Sequence, residues 1–138
     1  MTATATNERL NDLLVELSRS LLQFAGEAYP WAAEHDTSGQ RSLLERLVKE
    51  QQDSVRALVA YLSGSGHSID FGVYPDEYTS LFYVSLDWLI RQIVINQTAI
   101  VADLRQGAQE LASDADASSL LHVLADREQA ILEELKRA

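Results

Sequence analysis

The chain has 138 residues and a formal net charge of −10, with 46% hydrophobic and 23% charged residues. This is the size of a single domain, with enough apolar material for one core, and its acidity argues against nucleic acid and anionic membrane surfaces as partners. It contains no cysteine, which excludes disulfides, thiolate nucleophiles, iron–sulfur clusters and Cys-ligated zinc.

Met1 to Thr6 shows no basic region followed by an apolar run, so no secretory signal is read there. No uncharged stretch reaches the ~20 residues a membrane span needs. The nearest candidate, Leu81 to Ile95, contains Asp87 and Arg91. The expected location is cytoplasmic, with no membrane partner.

Leu10, Leu13, Leu14, Leu17, Leu21, Phe24, Ala28 and Trp31 recur at three and four residues, the period of one helix face. A first helix is predicted over 7–29, ending before Pro30, whose ring interrupts the backbone bonds. Thr37-Ser38-Gly39 reads as a loop. A second helix is predicted over 40–62, with Leu44, Leu47, Val48, Val55, Leu58, Val59 and Leu62 on one face. The segment 63–74 then holds three of the six glycines. Pro75 suits a first helical position, and Asp76 and Glu77 suit the positive end of a helix. A third helix is predicted over 75–112, with one stripe of Phe82, Leu86, Leu89, Ile93, Ile100 and Leu104 and a second of Val84, Trp88 and Ile95. Ser113-Asp114-Ala115-Asp116 reads as a turn and cap. A fourth helix is predicted over 117–137, with Leu121, Leu124, Ile131 and Leu135 inward. No strand pattern or repeat interrupts this, so the expected fold is all-α, a single four-helix bundle domain.

Loop lengths then set the topology. Short links make helices one and two, and three and four, antiparallel pairs. The second helix spans ~34 Å, and the ~12 residues of 63–74 reach ~40 Å when extended. They can run the length of the bundle and leave helices two and three parallel, giving an up-down-down-up order with a long crossover.

Two antiparallel pairs joined by such a crossover resemble the ferritin-like bundles, including bacterioferritins and rubrerythrins. The patch Phe71-Gly72-Val73-Tyr74-Pro75-Asp76-Glu77-Tyr78-Thr79, leading into Tyr83-Val84-Ser85-Leu86-Asp87, is similar to a bacterial subgroup of small ferritin-like proteins. The resemblance implies a Glu on helices one and three and a Glu-x-x-His on helices two and four, together holding two irons. This chain has no Glu-x-x-His. His35 falls in a loop, His67 in the crossover and His122 on the wet side of helix four. Glu50-x-x-Asp53 and Asp126-x-x-Gln129 keep the spacing, but they lie off the apolar faces and read as solvated charges.

Other polar residues point inward. Glu128 lies between Leu124 and Ile131 in the apolar stripe, and Gln51 lies between Leu47 and Leu58. Gln92 and Asn96 lie between the two stripes of helix three. A buried polar cluster of Glu128, Gln51, Asn96 and Gln92 is expected at a vacated metal centre, with Glu128-x-x-Ile131 and Gln51-x-x-Ser54 as altered ligand pairs. One carboxylate among neutral amides cannot hold two hard cations, so no cofactor is expected. The alternative is iron or manganese on a carboxylate-only set of Glu27, Glu50, Asp53 and Glu128.

The aromatics near the loops read as clamps on the crossover or as an interface, because Tyr and Trp favour interfaces. Trp31, Tyr74, Val84 and Trp88 are the interface candidates, and a homodimer is expected. No phosphate-binding loop, catalytic triad or haem ligand pair is present in the pattern. The expectation is a non-catalytic module for structure or protein interaction that has lost its di-iron site. The alternative is a ferritin-like oxidase or iron-handling protein.

Overall fold

A computed structural model of the chain describes residues 2–28, 39–83 and 85–138, with the backbone alone at 28, 82 and 83. Among the described residues every regular element is helical. These are α1 (Ala3–Ser18), α2 (Leu21–Ala28), α3 (Gln40–Gly64), a 3-10 helix (Asp76–Tyr83), α4 (Leu86–Glu110) and α5 (Ala115–Arg137).

The first expected helix is two helices. It begins earlier, capped by the Thr2 hydroxyl, which accepts the Ala5 N–H, and it breaks at Arg19-Ser20 without proline or glycine. Ser20 restarts it as a cap, its hydroxyl accepting the Gln23 N–H at 3.2 Å. The freed Leu21 N–H goes to Asn96 Oδ1 of α4 at 3.1 Å, so the break leaves neither donor unpaired. The third expected helix is also divided. Its first part is the 3-10 helix, and α4 starts only after Ser85, whose hydroxyl accepts the Trp88 N–H.

α3 runs two residues past the expected 62. Gly66, at φ +71, lets the His67 N–H reach Leu62 O at 3.0 Å and the Gly66 N–H reach Ser63 O at 3.1 Å. This double closure is the left-handed ending glycine favours. The strap that follows lies along α1. Asn11 makes two bonds to the backbone of Asp70, at 2.9 and 3.0 Å. Ser18 Oγ donates to Phe71 O and Arg19 Nε donates to Gly72 O. Gly72 sits at φ +69, with the position of a Cβ only 2.6 Å from Val15 Cγ1. Tyr74 then packs edge-on against Phe24 of α2 at 5.3 Å, with the Arg19 guanidinium over its ring at 5.0 Å. Side chains of α1 gripping the strap backbone hold it as much as aromatics do. Phe71, expected to be a clamp, is 42% exposed.

The core falls into two apolar clusters. One gathers residues such as Leu10, Leu14, Leu58, Leu62, Leu104 and Leu121. The other gathers Leu22, Leu47, Leu89, Ile93, Ile131 and Leu135. Every α-helix contributes fully buried residues to one or both, and Tyr78 and Leu81 of the 3-10 helix pack half-buried against the second. On α1/α2, α3, α4 and α5 alike, the residues between the two clusters are polar and buried: Ser20, Gln23, Gln51, Ser54, Gln97 and Glu128.

Candidate functional site

These six side chains form a single hydrogen-bonded layer across the molecule. Glu128 of α5 is its centre and is fully buried. Its Oε1 accepts from Gln51 Nε2 at 2.8 Å and from Gln97 Nε2 at 3.0 Å, and its Oε2 accepts from Ser54 Oγ at 2.8 Å. Gln51 Nε2 gives its other hydrogen to Gln97 Oε1 at 3.1 Å, and Gln97 Nε2 gives its other to Glu128 O at 3.0 Å. Gln51 Oε1 accepts from Ser20 Oγ at 2.7 Å and from Gln23 Nε2 at 3.0 Å. Gln23 Nε2 also donates to Val48 O, and Gln23 Oε1 accepts from Gln52 at the surface.

An amide has two donor hydrogens and two acceptor positions. In Gln51 all four are used. In Gln97 and Gln23 both hydrogens are used. The three amides therefore point one way, and every strong donor in the layer has an acceptor. A half-satisfied buried network costs free energy, whereas a closed one specifies a unique packing.

A di-iron centre is what the resemblance would place here, and the residues do not fit one. Hard divalent ions need oxygen ligands carrying enough negative charge to replace their water. The layer offers one carboxylate, already holding three donors, and amides whose nitrogens would face a cation. Among the described residues no three His, Asp or Glu side chains converge as ligands.

Burial pushes the Glu128 carboxyl above the usual carboxylate range, and its bonds from Gln97, Gln51 and Ser54 act against the rise. A second perturbed acid lies outside the layer. Glu16 of α1 is pushed up to about 8, first by burial and then by its hydrogen bond to Asp103 of α4 and that carboxylate's charge.

The other expected site residues lie elsewhere. Asn96 is half-buried and serves the helix break, taking the Leu21 N–H, with the Tyr78 hydroxyl 3.5 Å from its Nδ2. Gln92 is half-buried and joins no bond of the layer. Both were expected in the cluster, and Gln97 takes that place on α4. The carboxylates of the alternative metal set are dispersed. Glu50 pairs with Arg46 at 2.8 Å, Asp53 pairs with Arg56, and Glu27 is exposed beside Tyr74. His67 is half-buried in the strap and His122 is exposed on α5. Of the interface candidates, Trp31 and Val84 lie outside the described residues, as does His35. Tyr74 is half-buried on α2, and Trp88 is 37% exposed.

Gln97 had a readable signal. Ile93, Gln97, Ile100 and Leu104 are spaced four, three and four, which places Gln97 on the stripe itself. Ser20 and Gln23 had none, because only the helix break turns them toward Gln51. No protein-family model, curated protein or solved structure matches the chain.

Proposed function

We propose that the chain is a ferritin-like four-helix bundle whose di-iron centre has been replaced by a closed hydrogen-bond layer. It acts as a non-catalytic module for structure or protein interaction, and it pairs with a second copy of itself. In this reading α1 and α2 form the first helix of the bundle, α3 the second, α4 the third and α5 the fourth.

The register of cross-helix bonds supports the up-down-down-up order. Gln40 meets Asp87 and Gln51 meets Gln97, at sequence separations of 47 and 46. A nearly constant separation is the mark of two parallel helices. Against α5, by contrast, α3 pairs at separations that fall from 88 at Arg46–Glu134 to 74 at Ser54–Glu128. From α1/α2 to α4 they fall from 101 at Arg9–Glu110 to 75 at Leu21–Asn96. Those are antiparallel neighbours. The strap, tied along α1 from Asn11 to Arg19, is the crossover this order requires.

The loss of the metal centre rests on one observation: every strong donor of the layer is already paired, and Glu128 is its lone carboxylate. Glu128-x-x-Ile131 and Gln51-x-x-Ser54 occupy the i, i+3 positions where such a fold carries ligands, and neither pair can complete a site. Anaerobic loading with Fe(II), followed by exposure to oxygen, tests the reading. Oxygen consumption should equal that of a protein-free control. Consumption that Glu128→Ala abolishes would favour the iron-handling alternative instead.

A further inference from the structure

The outward face of α4 is unusual for so acidic a protein. From Trp88 to Ala102 its only charged residue is Arg91. Along that stretch Trp88 is 37% exposed, Ile95 is 64% exposed, and Ala99 and Ala102 are also exposed. Trp88, Ile95 and Ala102 are spaced by seven, about two helical turns, so they lie nearly in line. An apolar line of this length on a surface helix marks a contact.

We infer that this face pairs with the same face of a second copy, the two α4 helices running antiparallel across a two-fold axis at Ile95. The inference rests on the self-association proposed above and adds the surface that carries it. Its warrant is that the face is complementary to itself. A two-fold at Ile95 places each residue opposite one equally far on the other side. Ile95 meets Ile95 of the second copy, and Trp88, seven residues before the axis, meets Ala102, seven after it. The largest side chain of the line thus faces one of the smallest at both ends, as close helix packing needs.

The flanking charges match in the same register. Asp87 lies eight residues before the axis and Arg105 ten after it, both about 80° round the helix from Ile95 at 3.6 residues per turn. Both are on the flank that faces α5. Asp87 lines a groove there with Ile90, Val94 and Leu135, and Arg105 reaches Asp126 of α5 at 3.4 Å. The two-fold keeps that flank on one side, so Asp87 of each copy lies beside Arg105 of the other. Each chain carries −10. Among the described residues this is the longest acid-free stretch of a helix, and two such chains meet there with least repulsion.

The absence of cysteine in the chain makes the test clean. Light scattering on the intact protein should give twice 15.3 kDa, and Ile95→Arg should give the monomer mass with the helical circular dichroism unchanged. Ile95→Cys should oxidise to a disulfide-linked dimer that retains the fold, because the axis brings the two residues together. Asp87→Arg should weaken the dimer about tenfold, and adding Arg105→Asp to it should restore most of that loss. A dimer that survives Ile95→Arg and does not cross-link through Ile95→Cys would overturn this face but leave self-association standing. A monomer at every concentration would overturn both. A monomer that binds an apolar helix of another protein through Ile95 would overturn the choice of a second copy.

Discussion

Glu128 is a carboxyl in a fully buried position, and what it costs depends on its neighbours. Three donors converge on it, from Gln51, Gln97 and Ser54. Glu128→Ala would leave all three unpaired beside a cavity. Leaving buried donors unpaired costs about 1–3 kcal/mol each. With partial relaxation the loss should be about 4 kcal/mol, a large share of a domain's stability. Glu128→Gln keeps the shape and most acceptors, so its loss should stay within about 1 kcal/mol. Urea unfolding of the two variants checks both figures. Equal losses would contradict the layer as described.

Glu16 gives a pH dependence of definite sign. It holds its proton up to about 8 in the folded chain, against an ordinary 4.5. Between those values the folded protein binds a proton that the unfolded chain has released, so stability falls as pH rises through that window. Glu128, also raised, acts in the same direction. Glu16→Gln should flatten the decline and make the protein more stable than the parent at about pH 9. Denaturation midpoints measured at about pH 5 and about pH 9 would reveal it. An unchanged slope would show that burial does not raise the Glu16 carboxyl in the folded chain.

At the scale of elements, the strap is where a single backbone position carries most. Gly72 combines φ +69 with a Cβ position well inside van der Waals contact distance of Val15. Gly72→Ala should cost about 2 kcal/mol and loosen the strap, which thermal unfolding together with hydrogen exchange at Asp70 to Gly72 would register. The helices themselves were legible from their apolar periods, and so was the inward phase of Gln51 and Glu128. The break at Ser20 was not. It has no proline or glycine, and the groups that make it tolerable are a local hydroxyl and the distant Asn96, which sequence spacing alone does not connect. The same break misdirected the reading of α4. Asn96 was expected in the cluster because it is polar and near the apolar stripe, yet it is spent on the break, one residue before Gln97, which is the true member. The 3-10 helix was missed because Asp76, Glu77 and Pro75 are as good a start for an α-helix as for a tighter turn.

At the scale of the molecule, two apolar clusters are divided by one polar layer, which α3, α4 and α5 cross and at which the break between α1 and α2 lies. Such a layer fixes axial register, because sliding any helix by a turn would leave Glu128 or an amide buried without partners. An apolar core of the same size would tolerate that shift. The layer therefore sets the register of the helices with hydrogen bonds alone. The exposed line on α4 then becomes the feature most open to a partner.

A layer whose donors are all paired should take up no metal, and equilibrium dialysis of the intact protein against Fe(II) or Mn(II), followed by elemental analysis, measures this. Retention should stay below about one ion per ten chains, unchanged by Glu128→Gln. Retention of about two ions per chain, lost in Glu128→Gln, would contradict it.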